Sequence, residues 1–212
     1  MPIDLAGVVG PDYLLTALVV VLVPGAGVLY TLANGLFAGA RGGLAAALGC
    51  TIGIVPHLAA ALLGLAALLH ASAVAFQVVK MVGVAYLIYL AVTMWRHPNA
   101  LKVNDDGQGR ASWTRVATRG VLVNILNPKL SLFFLAFLPQ FVPPDSPHTL
   151  AQMSLLGGVF MLMTLVVFAG YGLAANAVRH YVLASERLTK WIQRAFAAAF
   201  AAAATRLALD SH

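Results

Sequence analysis

The chain has 212 residues, 61% of them hydrophobic and only 9% charged, with a formal net charge of +6. A soluble domain carries about 25% charged residues, so this composition excludes a water-soluble fold and points to an integral membrane protein. The basic residues lie between apolar runs and form no separate basic domain, which makes them a topology signal and not a nucleic-acid footprint. Cys50 is the sole cysteine, so an intrachain disulfide is excluded and no redox compartment can be read.

Six apolar segments follow in chain order: 13–32, 44–69, 74–95, 116–142, 150–175 and 191–209. A span needs ~20 residues, so a chain of this length holds about six. Continuous hydrophobicity without alternation makes them helices and not barrel strands. Asp4 and Asp12 precede the first segment but no Lys or Arg does, so a signal-peptide n-region is missing and the segment reads as a retained span. Asp12 stands at its outer edge, where it either caps the helix start or offers a proton site. Inside the segment, Pro24-Gly25-Ala26-Gly27 interrupts the run. Pro24 has no N–H, which leaves the Val20 carbonyl without its helical partner, and Gly25 and Gly27 permit an open backbone. A simple proline kink is the plainer alternative.

Gly39-Ala40-Arg41-Gly42-Gly43 reads as the turn to the second segment. Gly35, Gly39 and Gly43 recur every four residues, as do Gly49 and Gly53, a spacing that lets helices approach closely within one chain or between two copies. His57 follows Pro56 in apolar surroundings and is either a hydrogen-bonded structural histidine or a proton relay. Lys80, near the outer end of the third segment, snorkels. Tyr13, Tyr86, Tyr89, Trp95 and Trp191 fall towards segment ends and read as an aromatic belt. The sixth segment is nearly all alanine and only weakly apolar.

The polar stretch 96–115 acts as a linker that divides a single domain, 1–212, into halves 1–95 and 116–212 of three spans each. Loops 1, 3 and 5 carry ten Lys and Arg, whereas loops 2 and 4 and the N-terminal segment carry none and the C-terminal tail only Arg206. The positive-inside bias therefore puts the odd loops in the cytoplasm and both termini outside. Segments 1 and 4 then cross in opposite directions. The expected fold is an all-α membrane protein of six transmembrane helices in two inverted three-helix repeats, a transporter architecture with substrate between the halves.

The second break, Asn127-Pro128-Lys129, lies near the middle of the fourth segment. Pro128 frees the carbonyl of Asn124, and Asn124 and Pro128 share a face at i, i+4. Lysine at a helix centre costs roughly 2.5–3.5 kcal/mol on insertion scales, so Lys129 marks a functional site unless it snorkels. No Asp or Glu occurs inside any segment. Lys129 is then left with a wet cavity, a depressed pKa, or a carboxylate that arrives as ligand. Broken helix ends also favour anionic groups. The candidate binding residues are thus Lys129, Asn124, Asn127, Pro128, Pro24, Gly25, Ala26 and Gly27, with His57 and Asp12 as candidates for proton coupling. No HExxH or GxSxG is present and carboxylates are missing from the spans, so neither an enzyme nor a cofactor or metal is expected.

Val23-Pro24-Gly25, the 39–49 stretch, 53–57, 80–90, Arg119-Gly120 with Asn124, Asn127-Pro128-Lys129 and Leu138-Pro139-Gln140-Phe141 together resemble the LysE/RhtB family, the lysine and homoserine/threonine-type exporters of bacterial inner membranes. The likeness runs from about residue 13 to 209, nearly the whole chain. It implies proton-motive-force-driven export of amino acids or close derivatives. Ala26 stands where the family usually has a second proline and keeps a backbone N–H. The absence of an acidic partner for a cationic side chain favours neutral or homoserine/threonine-like substrates. A passive channel or a non-transporting membrane partner is the alternative reading, and a homo-oligomer is compatible with the glycine faces.

Overall fold

Helix α1, Pro11–Leu22, starts on a proline at its first position, where the missing N–H would have no helical partner anyway. Its last bond runs from Val23 N to Val19 O at 2.9 Å, because Pro24 has nothing to donate. Gly25 then caps a second helix, α2, Ala26–Ile52. These elements belong to a computed structural model that describes residues 8–63, 109–143 and 146–209, together with the single positions 81, 84, 85, 88, 89, 91, 92 and 95. Apart from those positions, the expected third span 74–95 with Lys80 and Tyr86 lies outside the described residues. The same holds for Asp4 and for the linker up to residue 108.

Gly39 divides α2 into two legs, 26–38 and 40–52, by adopting φ 77° and ψ −170°, a backbone state that favours glycine. The legs fold back on each other. Cys50 Sγ lies 3.9 Å from Gly27 O, whereas continuous helix over that interval would separate them by about 34 Å. The turn expected over Gly39 to Gly43 therefore needs only Gly39, and the second leg begins at 40 instead of 44. A short turn at Gly53 and Ile54 leads into α3, Val55–Leu62.

Helix α4, Gly109–Ile125, packs along the second leg backbone to backbone. A Cβ on Gly53 would sit 2.7 Å from Val121 O, and one on Gly120 would sit 3.0 Å from Ala46 O. Gly49 meets Ala117 in the same way. Tyr30 of the first leg donates its hydroxyl to Val116 O at 2.9 Å, which ties both legs to α4. After the break at Leu126 and Asn127, helix α5, Pro128–Leu132, continues as a π-helical turn, Phe133–Phe137, and a 3-10 turn, Leu138–Phe141. The fourth segment is thus not one rod: its two parts, Trp113–Ile125 and Lys129–Phe141, are bent by 60°.

Helix α6, Thr149–Ala177, lies against the hairpin. Gly35 and Gly43, equidistant in sequence from Gly39, both press on Gly172, and a Cβ on Gly43 would come within 2.9 Å of its Cα. The close-packing glycine rows thus serve contacts within the chain. Tyr13 is 1% exposed and donates to Leu156 O, so it is a core residue joining α1 to α6 and not part of an aromatic belt. Position near a segment end does not reveal which way a ring faces. Trp95 and Trp191, at 61% and 63% exposed, do face outward. Two further helices, α7, Arg179–Leu183, and α8, Glu186–Leu209, complete the order.

Every regular element among the described residues is helical. Two stretches among them, Ala26–Leu62 and Thr149–Ala177, are long and apolar enough to cross a membrane, and the bent pair at 113–141 makes a third if it is one span. The fold at Gly39 means that Ala26–Leu62 is a hairpin and not a single crossing. Helix α1 alone, at 12 residues, covers about 18 Å and is too short. Helix α8 is long enough at 24 residues but is not among the apolar candidates, because Glu186, Arg187, Lys190, Arg194 and Arg206 offset its alanines.

Candidate functional site

The two breaks meet. Lys129 Nζ donates to Val20 O at 2.8 Å and to Val23 O at 2.9 Å, so the carbonyl that Pro24 orphans is taken by the lysine of the other break. Tyr171 donates to Leu22 O at 3.2 Å, adding a third contact to the last turn of α1. Cations and donors at a helix C-terminus satisfy free carbonyls and meet the negative end of the dipole. None of the three fates considered for Lys129 from sequence includes this one. Its charge is met by backbone oxygens, which no search for a carboxylate could find.

A contact on the second break comes from His57 of α3. Its Nε2 lies 2.8 Å from Asn124 O, a carbonyl that loses its i+4 donor to Pro128 and accepts a 3.1 Å bond from Asn127 N instead. A carbonyl only accepts, so Nε2 carries the proton and donates. Nδ1 then faces the Ser131 hydroxyl at 3.2 Å. His57 is 8% exposed with both ring nitrogens engaged, a hydrogen-bonded histidine that crosslinks α3 to the second break.

Asparagines join the breaks to the hairpin. Asn127 caps α5, its side-chain oxygen accepting from Lys129 N at 3.1 Å. Its Nδ2 donates to Asn124 Oδ1 at 3.3 Å, and Asn124 Nδ2 donates to Cys50 O at 2.7 Å. That last carbonyl is free because Ile54 N turns to Thr51 O instead. The chain of donors fixes the orientation of both amides. Asn124 Oδ1 also stands where a Cβ on Gly27 would fall, 2.6 Å away, so Gly27 must lack a side chain for the breaks to touch.

Around this junction lies a narrow recess of about 10 Å³, room for roughly one water. Gly25, Gly27, Asn124, Asn127 and Lys129 line it, five of the eight residues expected at the site. Ala26 is buried beside them as the first residue of α2, and Pro24 is exposed. Pro128 is the first residue of α5. Asp12 is exposed in the first turn of α1, and Gly10 holds the N-cap position instead. Eleven helical residues put Asp12 roughly 16 Å from Val23 and so away from the first break.

Sequence reasoning missed the far wall, Phe160, Thr164 and Phe168 of α6. Their i, i+4, i+8 spacing marks one helix face, and Thr164, 2% exposed, is the polar residue on it. Its hydroxyl donates to Phe160 O at 2.9 Å. Phe133 stacks on Phe160 at 4.4 Å between centroids and anchors that wall to the π-helical turn. No group of metal-ligating side chains occurs among the described residues.

The chain is similar to named proteins over nearly its full length. It is 32% identical over 200 residues to a homoserine/homoserine lactone efflux protein of Salmonella typhimurium, covering 94% of this chain and 96% of that one. It is 30% identical over 202 residues to a leucine efflux protein of Salmonella choleraesuis, covering 92% of each. A membrane protein of Vibrio cholerae shares 34% identity over 178 residues, covering 84% of this chain and 86% of the other. No solved structure matches. The family model for the LysE type translocator matches residues 18–211, and the chain belongs to that family of membrane transporters.

Proposed function

We propose that this protein is a secondary exporter of small amino acids, neutral or homoserine/threonine-like, driven by the proton-motive force across a bacterial inner membrane. The observation that carries the reading is the contact between the two breaks, where Lys129 of the second caps the end of α1 at the first. Pro24 frees Val20 O, which Lys129 takes, while Asn124 O at the second break accepts from His57 of α3 and from Asn127 N. Two interrupted helices meeting at a charged recess are the arrangement in which transporters hold small polar substrates. The pairing supports an architecture of two inverted three-helix halves, and the loop charges orient it with odd loops cytoplasmic and both termini periplasmic.

Lys129, Asn124, Asn127, Pro128 and the backbone of Pro24 to Gly27 form the substrate site in this reading, and a substrate carboxylate is a partner for Lys129. Homoserine, homoserine lactone and leucine, named for the relatives, share an α-ammonium on a small body, and the recess of about 10 Å³ has to open to admit one. His57 and Asp12 are the residues assigned to proton coupling. His57 alone of the two stands at the junction, so it carries the larger share of that assignment.

Cells loaded with homoserine- or leucine-containing dipeptides test the function. Export of the free amino acid should appear with the wild-type protein and vanish with Lys129→Ala, while the variant stays in the membrane at normal abundance. Undiminished export by Lys129→Ala would remove the site assignment, and no export by the wild type would remove the function.

A further inference from the structure

Lys129 places a primary ammonium on two convergent backbone carbonyls inside the recess assigned to the substrate. The seat needs no side chain: Val20 O and Val23 O belong to the frayed last turn of α1, whose dipole end favours a positive charge. Gly25 leaves room beside it, since a Cβ there would lie 3.4 Å from Nζ. Any small molecule bearing a primary ammonium carries the same donor geometry as the lysine tip. Resting on the export reading above, we propose that these two carbonyls are the seat of the substrate's α-ammonium. Lys129 occupies it as an internal stand-in until a substrate displaces it.

The consequence is an exchange. Two ammonium groups cannot share one pair of carbonyls, because like charges at that separation repel. An incoming amino acid therefore evicts Lys129, and its own carboxylate then receives the displaced lysine as a charge-assisted partner. A lactone or amide evicts Lys129 without offering that partner and binds more weakly. A carboxylate without an amine has nothing to place on the seat and leaves Lys129 where it is. Val21, Val28, Phe160 and Phe168 wall a space of about 10 Å³ that has to widen around the substrate body, and Thr164 brings a hydroxyl to the α6 wall.

The test measures binding to purified full-length protein in lipid nanodiscs at neutral pH with leucine, leucinamide and 4-methylpentanoate, and in parallel with homoserine and homoserine lactone. In the wild type, every probe with an ammonium should bind, leucine and homoserine more tightly than leucinamide and the lactone, and 4-methylpentanoate should not compete. In Lys129→Met the seat is vacant, and leucinamide should bind roughly tenfold or more tighter than to wild type, since no charge-assisted bonds have to be broken first. Leucine should lose its advantage over leucinamide in that variant. Competition by 4-methylpentanoate equal to that of leucine would overturn the seat while leaving the export reading intact. So would a leucinamide affinity that Lys129→Met lowers. A wild-type protein that binds none of the five contradicts the export reading itself, and the seat with it. The wild-type comparison decides the matter even if Lys129→Met does not fold.

Discussion

At the scale of single residues, the junction depends on small groups that let polar ones meet. Gly27 is the tightest such point, because a methyl group there would collide with Asn124 Oδ1. Gly27→Ala should break the Asn127–Asn124–Cys50 chain of hydrogen bonds and leave buried amide groups unsatisfied. That costs about 1–3 kcal/mol, read as a lower thermal midpoint together with lost transport. Asn124→Ala should do the same from the other side, whereas Asn124→Asp keeps the acceptor but loses the donor to Cys50 O. Unchanged stability in Gly27→Ala would mean that the breaks do not touch. That the carbonyls of Val20 and Asn124 lose their i+4 donors was legible from the two prolines alone, since the rule is local. Their partners were not, because Lys129 and His57 reach them only through the tertiary fold.

Among the elements, the α2 hairpin decides how the first break reaches the second. Gly39 holds the one positive φ among the described residues, and Gly35 and Gly43 on either side of it bring both legs onto Gly172. Gly39→Val should be strongly destabilising, because a β-branched side chain at φ 77° strains the backbone by ~1–2 kcal/mol or more. Gly39→Ala should already lower the midpoint, because φ 77° with ψ −170° is a backbone state that essentially only glycine adopts, and an unchanged midpoint would argue against that state. Gly172→Leu should separate α6 from both legs and remove the Phe160–Phe168 wall of the recess. The glycine spacing was readable as close packing from sequence, and Gly39 as a turn. The 60° bend was foreshadowed by Pro128, but the π-helical turn after it left no signature beyond an ordinary apolar run. The α6 wall was equally hidden, because a Phe-Thr-Phe stripe reads as core until a neighbouring recess is known.

Over the whole molecule, the lysine of one helix break closes the end of the other, from a distant part of the chain, and a charged recess lies between them. The topology that follows from the loop charges, with both termini periplasmic, can be checked with introduced cysteines, because the single native cysteine, Cys50, is buried. Impermeant thiol reagents added to intact cells should label a cysteine at position 212 and spare one at position 107; the reverse pattern would invert the orientation. Membrane residence and family were legible early, since composition and the Asn-Pro-Lys break carry them directly. The most direct test of the account uses proteoliposomes loaded with labelled homoserine or leucine. Efflux should be fast with the wild-type protein under an imposed proton gradient, slow without the gradient, and absent with Lys129→Ala. Efflux that ignores the gradient and survives the loss of Lys129 would contradict a proton-driven exporter built around this junction.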